Sequence, residues 1–183
     1  VLTRRLQPMI GKPGASGAPV GRDLNRAANI CVGHLMSCAD VQAARHGVPI
    51  DGRAIVEAFP SSFLGLMIEN PDTLASQRSN RSDTYFVHLS GNGVLQQLLH
   101  HCLPGRSIAR DMASVTNHDD RAALICALTA LCVACGDFVA VGDDDGWIIL
   151  PPRRFICSRQ WDLLSLNAAE VRSQPALYIE SPG

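Results

Sequence analysis

The stretch that most constrains this chain is a short apolar run, residues 54–59, which holds a single carboxylate, Glu57. Its length, its β-branched residues and the flanking Gly52 and Pro60 predict a buried strand that ends at the proline. The serines at 61–62 can then cap a helix that begins immediately afterwards. We therefore expect Glu57 to lie near the carboxyl end of a central strand.

Glu57 needs a partner in such a position, because removing a lone carboxylate from water costs free energy. A metal ion, another cation or a set of hydrogen-bond donors would serve. The structural alternative is a glutamate that pairs with an arginine or caps the turn at residues 61–62. The sequence leaves both interpretations open.

Length and charge set the class of protein. With 183 residues and a formal net charge of −1, the chain is long enough for one domain with a real core and has no net attraction to nucleic acid or membranes. Lys12 is the only lysine, so the basic residues are almost all arginine, which suits phosphate and carboxylate partners. No apolar segment reaches membrane-spanning length and no secretory signal is visible, so we expect a cytoplasmic protein without a membrane partner.

The cysteines fall within apolar helical patterns. We expect them to be reduced and buried, as small hydrophobic residues of a cytoplasmic protein. Cys132 and Cys135 form a C-x-x-C pair, but no second pair accompanies it, so a zinc or redox role is the weaker alternative. The seven positions are Cys31, Cys38, Cys102, Cys126, Cys132, Cys135 and Cys157.

Helices and strands alternate along the chain, which predicts a single α/β domain over residues 1–183. Residues 1–21 lack periodicity and are expected to form a flexible loop. The other predicted elements are a helix from Asp23 to about His46, a helix over 83–103 divided near 91–93, a helix over 121–135, a hairpin over 138–151, a short amphipathic helix over 161–171 and a short terminal strand or tail over 177–180.

The helix over 121–135 is the most distinctive of these elements. It is apolar on nearly all sides and rich in small residues, so it should pack closely against a sheet and other helices, and Gly136 should end it. Thr116 and Asp119 have the spacing of a capping box, which gives Asp119 a structural role as an alternative to chemistry.

The common catalytic motifs are missing from the sequence. What remains is a carboxylate at a strand end, Glu57, and a carboxylate pair in the first turn of an apolar helix, Asp119 and Asp120. Acidic side chains from separate elements are what a Mg²⁺ or Mn²⁺ site requires, because hard cations prefer oxygen ligands. Arg78 and Arg81, in a polar loop, are candidate contacts for an anionic substrate.

Three blocks of sequence carry a resemblance to a known family. They are Ile-Val-Glu-Ala-Phe-Pro at 55–60, His-Asp-Asp-Arg-Ala-Ala-Leu-Ile-Cys-Ala-Leu-Thr-Ala at 118–130, and Gly-Trp-Ile-Ile-Leu-Pro at 146–151. In this order they resemble the predicted RNase H-like nuclease family, the domain of unknown function numbered 429. The resemblance spans roughly residues 50–152, and the second block is its most specific part.

This resemblance implies an RNase H-like fold: a central mixed sheet flanked by helices, with a late β-hairpin. It implies that acids from a first strand, a middle strand and a late helix hold Mg²⁺ or Mn²⁺. Glu57 matches the middle-strand acid, Asp119 or Asp120 matches the late-helix acid, and Arg121 is a further candidate substrate contact. Ala122 stands where similar members often have Asp, and no strand bearing an Asp precedes Asp23, so the family's N-terminal strands are expected to be absent.

Two functions follow from these observations. The first is a metal-dependent nuclease or phosphodiesterase of RNase H-like type, with nucleic acid as its partner. It requires Glu57 and Asp119 or Asp120 to lie within roughly 4 to 8 Å of a common point. The second is a non-catalytic RNase H-like module for binding or assembly, in which arginines or helix caps engage the same acids.

Overall fold

The computed structural model of the protein describes residues 19–44, 47–74, 80–106, 108–109, 111–143, 146–169 and 178–181. Its helices are α1 (Pro19–Cys38), α2 (Pro60–Gly65), α3 (Pro71–Leu74), α4 (Arg81–Gly91), α5 (Val94–Cys102), α6 (His118–Cys135) and α7 (Ser158–Ala169). Its strands are β1 (Gln42–Ala43), β2 (Ala54–Ile55), β3 (Glu57–Ala58), β4 (Val139–Asp143), β5 (Gly146–Leu150) and β6 (Tyr178–Glu180). Two short 3₁₀ helices lie at Met112–Ser114 and Arg153–Phe155.

The larger sheet is mixed and has the strand order β3-β5-β4-β6. Strands β4 and β5 form an antiparallel hairpin in which Val139 pairs with Leu150, and β6 adds antiparallel to β4. Strand β3 runs parallel to β5, with Glu57 opposite Ile148. The predicted late hairpin and the α/β class are therefore confirmed; of the predicted turn pair at 145–146, Gly146 begins β5 and residue 145 lies outside the described residues.

Both faces of this sheet are covered. Side chains of a strand alternate between its two faces. In β5, Trp147 and Ile149 enter the larger core with residues of α2, α4, α5 and α6, while Ile148 and Leu150 enter a smaller core with Leu164 of α7. All four side chains are buried, and each contributes about 1.5–3 kcal/mol by leaving water.

Glycines divide and end the helices where the sequence indicated. Gly93 separates α4 from α5 in the left-handed conformation, with φ at 71°. Gly136 ends α6 with φ at 76°, and its N–H lies within hydrogen-bonding reach of the carbonyl oxygens of Cys132 and Val133. A residue with a Cβ is strained at such φ values, so these two glycines define the helix boundaries.

The strand predicted over 54–59 is interrupted. Residues 54–55 form β2, which pairs in parallel with β1, and residues 57–58 form β3, which pairs with β5 in the other sheet. The prediction of a central strand is therefore wrong: β3 is an edge strand of the larger sheet, and Glu57 is exposed. Between the two strands, Val56 packs against the larger core, where the chain passes from one sheet to the next.

The cap predicted after this strand is also wrong. Pro60 already lies in the first turn of α2, the N-cap residue is Phe59, and no side chain caps the helix. Ser62 is fully buried, and its hydroxyl has no hydrogen-bond partner among the described atoms.

Helix α6 packs on the sheet as predicted, but on one side only. It contacts β3, β5, α2 and α5, and it buries Ile125, Leu128 and Cys132. Its other side presents Ala127 and further small residues to solvent. Small residues expose little apolar area, so the sequence pattern did not distinguish the outer side from the buried one.

The expectation that the cysteines are buried is largely wrong. All seven are free thiols, but only Cys102 and Cys132 are buried and Cys157 is partly buried. Helix α1 shows why: it ends at Cys38 rather than near residue 46, and its predicted apolar side, including Leu35, is exposed within the described part of the chain.

Residues 1–18, most of the predicted N-terminal loop, lie outside the described residues, and α1 already includes 19–21. None of the helices in the described ranges is both long and apolar enough to cross a membrane.

The hairpin generates a first prediction, the substitution Gly142→Ala. A Cβ at Gly142 would overlap the carbonyl oxygen of Gly146 and lie 2.7 Å from Cε3 of Trp147. The strands must shift to accommodate it, so we expect the free energy of unfolding to fall by about 1–3 kcal/mol in urea denaturation. The matched control is Gly33→Ala in α1, where nothing lies within 4 Å of the added atom and helix propensity favours alanine. Wild-type stability of Gly142→Ala would contradict the β4–β5 register.

Candidate functional site

The N-terminal end of α6 is capped by Asn117. Its Oδ1 accepts hydrogen bonds from the backbone N–H groups of Asp119 at 2.8 Å and Asp120 at 3.1 Å. These are two of the N–H groups that a helix start leaves without an intrahelical partner. The capping box expected from Thr116 and Asp119 is therefore wrong, and the Asp119 carboxylate has no part in the cap.

Asp119 and Asp120 are both exposed in the first turn of α6. Within the described ranges, neither carboxylate forms an ion pair or a side-chain hydrogen bond. The helix dipole favours negative charge at this end, where the two carboxylates lie side by side. Asp120 also borders an apolar groove of about 390 Å³ between α6 and the segment around Met112.

Glu57 lies on β3, the edge strand of the larger sheet. Although its side chain is exposed, partial burial against the surrounding chain raises the pKa of the Glu57 carboxyl above its ordinary value. No arginine pairs with it in the part of the chain that the structure describes, and it does not cap the turn at residues 61–62. Neither of the structural roles that the sequence suggested for Glu57 is therefore present among these residues.

A polar cluster that the sequence analysis missed joins α4 to the start of α6. The Nδ1 atom of His118 lies 3.1 Å from Oδ1 of Asp83 and 3.1 Å from Nδ2 of Asn80. Arg121 approaches the same carboxylate oxygen at 3.4 Å, and its Nε donates to the carbonyl of Val115 at 2.9 Å. Its guanidinium also lies 5.5 Å from the centre of the Phe86 ring, within cation–π range.

No local pattern indicates this cluster, because Asp83 and His118 lie in different helices and 35 positions apart along the chain. An ionised carboxylate is the strongest acceptor within reach of His118 Nδ1, so we assign the Nδ1 proton to the bond with Asp83. The Nε2 atom then remains as a proton acceptor on a side chain that is 52% exposed.

The arginines predicted as substrate contacts already have partners. Arg81 forms an ion pair of 2.8 Å with Asp72, and Arg121 belongs to the cluster with Asp83. Arg78 lies outside the described residues. Arg81 and Arg121 therefore position helix ends in this structure, and an anionic ligand would have to compete with their carboxylate partners.

The oxygen donors at Glu57, Asp119 and Asp120 are of the type that binds Mg²⁺ or Mn²⁺. Their elements adjoin, since α6 contacts β3. In the described ranges, however, no three or more His, Cys, Asp or Glu side chains converge closely enough to hold a metal ion. The donor chemistry thus fits a hard cation, but the described residues do not assemble a site that could hold one.

No protein-family model, curated protein or solved structure matches the chain. The resemblance to the RNase H-like nuclease family therefore stays a prediction, and arguments about function rest on the residues described above.

The helix cap generates the second prediction. Asn117→Ala removes the acceptor of two backbone N–H groups, so we expect the free energy of unfolding to fall by about 1 kcal/mol. Thr116→Ala is the matched control, because Thr116 provides no cap here, and it should change stability by less than about 0.5 kcal/mol. Denaturant titration of both variants measures the difference. A larger loss of unfolding free energy in Thr116→Ala than in Asn117→Ala would indicate that Thr116 caps the helix after all.

Proposed function

We propose that this protein is a metal-dependent nuclease or phosphodiesterase of RNase H-like type, and that Glu57 and Asp119, with Asp120 as a substitute, bind Mg²⁺ or Mn²⁺. One observation carries the proposal: the Glu57 carboxylate has no ion pair and caps no helix in the described part of the chain, and partial burial raises the pKa of this carboxyl. A carboxylate in this state gains free energy from a cation.

The state of the helical acids supports the same proposal. Asn117 provides the cap, so the carboxylates of Asp119 and Asp120 are not used as cap acceptors and contribute at the helix start through the helix dipole alone. Magnesium commonly binds through one or two carboxylates together with substrate phosphates and water. An incomplete set of protein ligands is therefore compatible with a cation that is recruited together with a phosphodiester. The bound cation would supply Lewis acidity, which lowers the pKa of water and neutralises charge on a phosphodiester oxygen.

The chain's own residues suggest how a proton is managed near these acids. His118 precedes Asp119 in the first turn of α6, and Asp83 holds its Nδ1 at 3.1 Å. A histidine oriented in this way can accept a proton at Nε2. Arg121 fixes the position of Asp83 and thereby the orientation of the imidazole.

The architecture is compatible with the proposed fold at a coarser level. The mixed sheet with helices over both faces is an α/β architecture, and the proposed fold belongs to that class. We further propose a cytoplasmic location, since the seven cysteines are free thiols and disulfides belong mainly to oxidising compartments.

The raised pKa of Glu57 generates a third prediction, on stability. The folded chain holds the carboxyl proton over a pH range in which the unfolded chain has lost it, so Glu57 stabilises the fold most at acid pH, and this contribution is lost as pH rises through the folded pKa. Glu57→Gln cannot ionise. We expect it to melt at a higher temperature than the wild type at neutral pH, and we expect the gain to vanish at acid pH. A lower melting temperature at neutral pH would instead indicate that a partner stabilises the carboxylate.

A fourth prediction concerns the metal. Millimolar Mn²⁺ should raise the melting temperature of the wild type and should not raise that of Glu57→Gln or of Asp119→Asn combined with Asp120→Asn. The matched control is Asp162→Asn, an exposed carboxylate on α7 that should leave the response to Mn²⁺ unchanged. Cleavage of single-stranded, duplex and hybrid nucleic acids is measured beside the melts.

The combined results separate the two functions. A shift with Mn²⁺ and cleavage that Glu57→Gln abolishes support the nuclease. Binding of nucleic acid without cleavage and without a metal response would instead support the non-catalytic RNase H-like binding or assembly module. If the protein neither binds nor cleaves nucleic acid and shows no metal-dependent shift, the nuclease proposal is contradicted.

A further inference from the structure

The C-terminal half of α6 carries a second chemical feature, distant from the acids at its start. Cys132 of α6 and Cys102 at the end of α5 face each other across the helix interface, with their Sγ atoms 3.7 Å apart. They are the two buried cysteines of the chain, with relative exposures of 0% for Cys132 and 6% for Cys102. This contact joins residues 30 positions apart, so only the tertiary fold creates it.

A third thiol and a polar pair border the contact. The Sγ of Cys135 lies one helical turn beyond Cys132, donates to the Cys132 carbonyl at 3.3 Å, and is exposed to solvent. His101, next to Cys102, pairs with Asp137 at 2.7 Å between Nε2 and Oδ2. The site thus combines a buried thiol pair, an exposed thiol and a histidine at the ends of two packed helices.

From this geometry we propose that Cys102 and Cys132 form an oxidation site, in which hydrogen peroxide converts the two thiols into a disulfide that links α5 to α6. A disulfide requires an S–S distance of about 2.0 Å, so the sulfur atoms must approach by less than 2 Å from where they stand. Side-chain rotation and a small displacement of helix ends can supply such a movement.

The chemistry begins at Cys102. Its sulfur attacks one oxygen of hydrogen peroxide, an S–O bond forms, the O–O bond breaks, and the departing oxygen leaves as water with the thiol proton. Cys102 is then a sulfenic acid. The sulfur of Cys132 attacks it, the S–S bond forms, the S–O bond breaks, and the Cys132 proton leaves with the hydroxyl as a second water. Two thiols are oxidised by two electrons, and one peroxide is reduced to two waters.

The electrostatics are consistent with Cys102 as the attacking thiol. The hydrogen bond with Cys132 lowers the pKa of Cys102 to about 7 against the opposing effect of burial, and Cys135 and His101 act in the same direction as Cys132. The same contact and burial raise the pKa of Cys132, which keeps its proton and acts as the donor. A thiolate is the reactive form of cysteine toward peroxide, so the pair has one nucleophile and one resolving thiol.

The test is peroxide treatment of the folded protein, followed by acid quenching, alkylation and tryptic digestion without reduction. Cleavage after arginine places Cys102 in the peptide 82–106 and Cys132 in the peptide 122–153. We expect the two peptides to be joined in the treated monomer and separate in the untreated one. The oxidised monomer should also melt at a higher temperature, because the link restricts the unfolded chain.

Single variants assign the bond. Cys102→Ser and Cys132→Ser should each abolish the joined peptide, whereas Cys126→Ser, an exposed cysteine on the same helix, should leave it intact. Cys135→Ser should also leave it intact, which distinguishes the proposed pair from a link between Cys102 and Cys135.

Three results would overturn the proposal: a joined peptide that survives Cys132→Ser, a disulfide confined to Cys132 and Cys135 within one peptide, or oxidation of the exposed thiols without any joined peptide. Fragment-ion sequencing of the joined peptides from the treated wild type locates the bonded cysteine within 122–153, so the bond is assigned even where a serine variant fails to fold. None of these measurements involves nucleic acid or divalent metal, so their outcome is independent of the nuclease proposal.

Discussion

The pairing of β5 with its two neighbours is the interaction on which the rest of the structure depends. This strand is buried along nearly its whole length, and its alternate side chains fill two different cores. A shift of its register by one residue would exchange Trp147 with Ile148 and so disrupt both faces at once. Within the described part of the larger sheet, β3 pairs only with β5. The register of this pairing therefore also determines the position of Glu57, opposite Ile148.

Local signals in the sequence predicted the elements that local interactions stabilise. The hairpin over 138–151, the interruption of the helix at 91–93 and the end of α6 at Gly136 all follow from turn residues and glycine conformations. The single strand predicted over 54–59 does not form, because its two halves belong to two different sheets. Which strand pairs with which is decided by tertiary structure, and no window of a few residues contains that information.

The candidate site was predictable in its residue types and not in its contacts. Sequence position identified Glu57, Asp119 and Asp120 as candidate metal ligands, and in the described ranges none of the three carboxylates forms an ion pair. The cap lies one residue later than the pattern suggested, at Asn117, because Asn is as good a capping residue as Thr and the backbone selects between them. The contact of Asp83 with His118 and that of Cys102 with Cys132 join different helices. Local sequence patterns do not predict contacts between residues so far apart along the chain.

The parallel pairing of β3 with β5 also has a consequence for the order of folding. The hairpin closes over a short turn, whereas Glu57 meets a partner strand about ninety positions further along the chain. Contacts of such long range form slowly, because the entropy of closing the loop must be overcome before they contribute stability. Most of the helices lie within that loop, so they can dock on the hairpin first. The proposed acidic site therefore completes late, together with the packing of Val56 against the larger core.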